Sequence, residues 1–179
     1  MHMMEYNLTG REMALVVIDM QKRYRIDSVT QDQMDCYIGR INALASDFRD
    51  HGRPVVFVRF IGGEECHPYT GEGNGEDFME GLDVRDTDII VDKGYMNGYR
   101  DTLLAEVLHD RGCDCILLAG TVTQYCVMST YFASFDHGLS PYLAKGCCIS
   151  TKEECNEAAW KVCKALTPER VKLYLEKGE

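Results

Sequence analysis

An aspartate, a lysine and a cysteine each stand just past a short apolar run in this chain. Asp19 ends the run LVVID, Lys93 ends IIVDK, and Cys126 lies shortly beyond CILLAG. Together they suit nucleophilic catalysis. A thiol with an ordinary pKa of about 8.5 is mostly protonated at neutral pH and needs help to attack a carbonyl. A neighbouring carboxylate, Asp19, can take that proton and later give it to a leaving amine. A carboxylate alone would raise the thiol's pKa by repulsion, and the positive charge of Lys93 offsets this. In the first turn of a helix, Cys126 would face unpaired N–H groups and the positive end of the helix dipole, which favour a thiolate. The same N–H groups can hold an oxyanion. Singly, the three read as a turn aspartate, a solvated lysine and a packed cysteine. Their common position at strand ends makes them a candidate catalytic set.

The three share one edge if the apolar runs are parallel strands of one sheet, where ligands bind beyond the carboxyl ends. The chain alternates short apolar runs with amphipathic segments in the way a βαβ succession requires. Strands are expected at 13–18, 54–60, 88–92, 115–119 and 139–144, the fourth ended by Gly120. Helices are expected at 31–51, 99–111, 123–137 and 152–166. Gly52 and Gly112 sit where helix C-caps belong. Pro168 opens a tail in which Val171, Leu173 and Leu175 alternate as a final strand would. The stretch 61–87, rich in Gly and Glu, lacks periodicity and is long for a plain connection, which marks it as a candidate specificity lid or subunit contact. The expected fold is a single α/β domain spanning 1–179, with its core at about 12–166. It has three layers, α/β/α, around a mostly parallel sheet of about six strands.

The 179 residues suit one domain. The net charge of −10 disfavours nucleic acid and anionic membranes as partners, since phosphate binding needs clustered Lys and Arg. No run approaches the roughly 20 apolar residues that span a bilayer, and 1–10 lacks the order of a signal peptide. A cytoplasmic location is expected. Nine cysteines, an odd number without CxxC spacing, read mostly as small buried hydrophobes in a reducing compartment.

Three motifs match a known family in order and spacing. LVVIDMQKRY, ending in Tyr24, DKGYMNGYRDTLL around Lys93, and AGTVTQYCVMSTYFASFDHG around Cys126 resemble those of the isochorismatase-like cysteine hydrolases. This superfamily includes nicotinamidases, N-carbamoylsarcosine amidohydrolase and ureidoacrylate amidohydrolase. The resemblance covers about 12–166. Asn97, Gly98 and Tyr99 replace the commoner Ser-Ala-Phe, and Gln124 stands where Asp is commoner. The resemblance implies Asp19 as general base, Lys93 as its electrostatic partner and Cys126 as nucleophile. It also implies a cis peptide at Thr121–Val122, and an oxyanion hole from the N–H groups of Val122 and Cys126. The implied reaction cleaves an amide or ureido C–N bond of a small molecule through a thioester. The implied assembly is a homodimer or homotetramer.

Relatives that hydrolyse nicotinamide carry an Asp-x-His metal site after the second strand. Here that stretch reads Arg59-Phe60-Ile61-Gly62-Gly63, so nicotinamidase activity and a metal cofactor are not expected. Glu64, Glu65, Cys66 and His67 cluster later and are the alternative ligands. Tyr24 and Tyr99 are candidate pocket walls, and Arg59 and Arg25 candidate binders of a substrate carboxylate. The rival readings are a vinyl-ether hydrolase, which would not need the thiol, a non-catalytic scaffold on the same fold, and a redox thiol protein lacking an adjacent resolving cysteine.

Overall fold

The computed structural model describes residues 6–61 and 75–178. Six strands, β1 (Met13–Ile18), β2 (Val55–Phe60), β3 (Ile89–Lys93), β4 (Cys115–Thr121), β5 (Ser140–Ile149) and β6 (Ala165–Leu166), form one sheet in the order β3-β2-β1-β4-β5-β6. Every neighbouring pair is parallel. β1 and β4 lie in the middle and are buried throughout, which explains their unbroken apolar runs. The chain winds outward from β1 in one direction and from β4 in the other, so the topological switch point falls between these two strands.

Helices cover both faces. α1 (Gln31–Asp50) and α5 (Pro168–Lys177) pack on one, and α2 (Leu104–Asp110), α3 (Met128–Asp136) and α4 (Glu153–Val162) on the other. α1 starts at a capping box, Thr30 with Gln33, and buries Met34, Ile38, Ile41, Ala45 and Phe48, one stripe at helical spacing.

Several elements differ from expectation: the helix expected at 152–166 ends at Val162, β5 runs on to Ile149, and three further differences bear on the site and the core. The tail is a helix, not a strand: Thr167 caps it, Pro168 opens it, and it buries Val171 and Tyr174. The Tyr174 hydroxyl accepts from the Met13 N–H and donates to the Arg11 carbonyl, tying the helix to the start of β1. The sixth strand is instead the short β6 just before it. α2 begins at Leu104 rather than Tyr99, because Asn97 and Thr102 bond nearby backbone groups and hold 97–103 in turns. Gly120 does not end β4. It remains paired to Ile18 with φ 109°, where a Cβ would lie 2.1 Å from the Ile18 carbonyl oxygen. Only glycine permits β1 and β4 to run this close together.

Candidate active site

Asp19, Lys93 and Cys126 converge at the switch point. Asp19 follows β1 with φ 50°, an uncommon conformation for a side-chain-bearing residue, and is fully buried. Its N–H donates to the Val58 carbonyl. Lys93 ends β3, two strands away, and only a long side chain can span β2 to reach β1. Its Nζ lies 5.0 Å from the Phe60 ring centre, donates to the Tyr95 carbonyl, and stands 2.8 Å from Asp19 Oδ2. This last contact is a fully buried ion pair. The Asp19 carboxylate thus faces the Lys93 ammonium and the Cys126 thiol, each of which draws its pKa down through a hydrogen bond.

Cys126 is nearly buried, and its thiol is close enough to both charges for each to shift its acidity. Burial, then the negative charge of Asp19, push the thiol pKa up to about 12, against the opposing pull of Lys93. Burial likewise raises the Asp19 pKa, more than Lys93 lowers it. The thiolate expected at a helix start is thus not the resting form. Cys126 also lies outside the α-helix, in a π-helical turn (Thr123–Val127) that precedes α3. Such turns are rare and recur at functional sites. The Thr121–Val122 peptide leading into this turn is cis. The Thr121 hydroxyl beside it is buried without a hydrogen-bond partner among the described residues.

The supporting contacts were not visible in the sequence reading. Gln21 is fully buried, and its amide donates to the carbonyls of Phe60 and Glu76 while accepting from the Phe60 N–H. With the Gln21–Phe78 bridge it fixes the segment from 75 onward against the ends of β1 and β2. A polar amide two residues beyond the strand-end aspartate was the available signal. Thr130 on α3 accepts from the Gly98 N–H and donates to the Cys126 carbonyl, joining the loop after Lys93 to the nucleophile turn. Thr123 donates to the buried Asn156, and Gln124 bonds Ser150 and Thr151, so the turn is also held by the start of α4.

One candidate wall residue, Tyr99, and one candidate carboxylate binder, Arg59, have partners within the protein. The Tyr99 hydroxyl pairs with Ser134 at 3.0 Å and its ring stacks on His137, so the residue packs against α3 two turns beyond Cys126. Arg59 points to the α1 side of the sheet and grips Asp92 through two hydrogen bonds of 2.7 and 3.0 Å. Strand alternation puts it on the face opposite Lys93. Tyr24 stays close: its ring meets Phe60 edge-on at 6.1 Å, and Phe60 in turn faces the Lys93 ammonium. Arg25 is exposed. Glu64, Glu65, Cys66 and His67 lie outside the described residues, as does the first half of the suggested lid, 62–74. Among the described residues, no three His, Cys, Asp or Glu side chains group as a metal site, and Arg59, Phe60 and Ile61 offer no ligand set.

A buried Asp–Lys pair beside a cysteine, on this strand order, can be set against known proteins. The Isochorismatase domain model matches residues 13–169. The chain belongs to the isochorismatase family. Among its relatives, the isochorismatase family protein YwoC of Bacillus subtilis is 29% identical over 165 residues, 85% of each chain. In fold it resembles the pyrazinamidase of Pyrococcus horikoshii, solved in complex with zinc, with a TM-score of 0.74 and 24% identity over 87% of this chain and 99% of that one. It also resembles the N-carbamoylsarcosine amidase from Thermoplasma acidophilum, with a TM-score of 0.74 and 19% identity over 87% and 95%. This isochorismatase-family hydrolase has, among its described residues, no helix long and apolar enough to cross a membrane.

Proposed function

We propose that this isochorismatase-family hydrolase cleaves a C–N bond, amide or ureido, of a small molecule through a thioester on Cys126. The observation that carries the reading is the fully buried Asp19–Lys93 pair, 2.8 Å apart, beside a thiol whose acidity both charges control. Two fold relatives being amidases supports it. Cys126 Sγ attacks the carbonyl carbon as Asp19 takes the thiol proton, so no free thiolate accumulates. Lys93 keeps Asp19 ionised enough to act as base. The N–H groups of Val122 and Cys126 hold the oxyanion. The C–N bond then breaks, and Asp19 passes its proton to the leaving nitrogen. Water attacks the thioester, Asp19 takes one of its protons, and the thiol is regenerated with release of the acid.

The test is ammonia or amine release from a panel of primary amides and N-carbamoyl acids, with mass spectrometry of the quenched enzyme. A substrate-derived adduct on Cys126, and loss of turnover in Cys126→Ala, are the expected results. Hydrolysis of an enol ether that survives Cys126→Ala would replace this reading with the vinyl-ether one.

A further inference from the structure

A groove of about 420 Å³ opens on the α1–α5 face of the sheet, and none of its lining residues belongs to the candidate active site. Its origin is a break in strand register. Between the pairs Leu118–Leu143 and Gly120–Cys148, β4 contributes only Ala119 while β5 contributes Ala144, Lys145, Gly146 and Cys147. Gly146 lies in this bulge at φ 82°, and all four of its residues line the groove. Bulges of this kind re-aim side chains and end local pairing. Here the bulge borders the groove together with α1 and α5.

The walls are apolar: Leu44 from α1, Val171 from α5, and Ala144 and Leu166 from the sheet. The rim is charged and mostly positive. Arg40, Lys145 and Lys172 face it against a single acid, Asp47, in a chain whose net charge is −10. These cations are weakly committed within the protein. Arg40 donates one long hydrogen bond, 3.3 Å, to the Gly146 carbonyl and lies 5.8 Å from the Tyr37 ring centre, and Lys172 meets Glu176 at 3.7 Å where both are exposed. An exposed pair of this kind holds its partners loosely.

We propose that this groove binds an amphipathic monocarboxylate, its apolar chain or ring against Leu44, Leu166 and Val171 and its carboxylate on Arg40 and Lys145. An apolar floor with a few convergent polar groups is how small-molecule sites are built, and the volume falls within their range. A guanidinium is the group that grips a carboxylate through two hydrogen bonds. The inference does not depend on the chemistry proposed for Cys126.

The test is titration calorimetry on the full chain with octanoate, alongside octanol (the chain without the charge) and acetate (the charge without the chain). Octanoate binds saturably, octanol at least about tenfold more weakly, and acetate not at all, a gap of about 1.4 kcal/mol. Arg40→Gln brings octanoate down to the affinity of octanol, and Leu44→Trp, which fills the groove, removes both. Circular dichroism checks that each variant is folded. Ala43→Trp, on the exposed side of the wall, replaces Leu44→Trp if the latter does not fold. Equal binding of octanol and octanoate overturns the proposal. So does octanoate binding that folded groove variants leave unchanged, which places the ligand elsewhere. A dimer that Ala43→Trp dissociates, with no octanoate uptake, overturns it in favour of self-association.

Discussion

The Lys93 ammonium crosses the end of β2 to stand 2.8 Å from Asp19 Oδ2, with neither side chain exposed. Each charge is tolerable there only because of the other. Lys93→Met leaves Asp19 buried without its counter-charge, and the expected loss is about 3 kcal/mol, the low end for breaking a buried pair, because the carboxyl can protonate. Asp19→Asn combined with Lys93→Met recovers part of it. Urea unfolding of the three variants measures both. A single-variant loss under about 0.5 kcal/mol, as for a surface pair, would show that the pair is effectively solvated.

Alkylation and catalysis respond in opposite directions at Asp19. Its charge raises the pKa of the Cys126 thiol, so Asp19→Asn makes that thiol more acidic under the remaining pull of Lys93. Iodoacetamide at pH 8 therefore labels Cys126 faster in Asp19→Asn than in the wild type, whose thiol at about 12 reacts slowly. Turnover of an amide falls by about 100-fold or more in the same variant, because the base is gone. Mass spectrometry separates Cys126 from the other thiols. Labelling that slows in Asp19→Asn would mean that the carboxylate generates a standing thiolate, contrary to the stepwise picture above.

Acid limits activity at a pH above that of a free aspartate. Burial raises the Asp19 pKa over its usual 3.8, so kcat/KM climbs with pH through a midpoint higher than that value. Stability runs the other way. A raised folded-state pKa contributes stability that is complete below the unfolded value and is lost as pH rises through the folded one. Wild-type unfolding free energy, referred to Asp19→Asn, therefore declines across the window in which activity rises. Urea melts at a series of pH values, beside the pH–rate profile, check both. A difference that grows with pH would reverse the sign assigned to Asp19.

Gly120→Ala is expected to cost about 3 kcal/mol or more, at the top of the range for overpacking, since the clashing atoms are backbone and cannot turn aside. Gly138→Ala, also at positive φ but with nothing within 4 Å, is the control and costs about 1 kcal/mol. Thermal melts of the two compare packing with conformation alone.

Thr130 links the loop after Lys93 to the carbonyl of the nucleophile. Thr130→Val leaves the Gly98 N–H buried without this acceptor and costs about 1–3 kcal/mol, whereas Thr130→Ser keeps both bonds. If the link also positions Cys126, kcat falls in Thr130→Val with KM little changed, and Thr130→Ser restores it. Equal kcat in both variants would confine Thr130 to a packing role.

Helix and strand order was largely legible in the sequence because burial on two faces writes itself as unbroken apolar runs. β1, β2 and β4 are such runs, and α1 shows its single stripe. The errors came where side chains or caps override pattern. Val171, Leu173 and Leu175 alternate like a strand, yet the Thr167 cap and the burial of Tyr174 make a helix. Tyr99 is near Lys93 in sequence, but a neighbour in sequence need not share a direction, and only the packed structure pairs its hydroxyl with Ser134. The charge of Arg59 is legible in the sequence, whereas its pairing with Asp92 follows only from strand register and alternation.

Asp19, Lys93 and Cys126 were determined by the sequence itself, as chemically able residues at the ends of apolar runs, and with them the order of elements around a parallel sheet. What only the tertiary structure decided is the balance of their charges. Whether Cys126 rests as thiol or thiolate depends on how much water is removed from all three groups and on how far Lys93 reaches across β2. Burial is a property of the packed sheet and its helices, and no single segment carries it. The sequence names the groups; the depth at which the strands place them sets their protons.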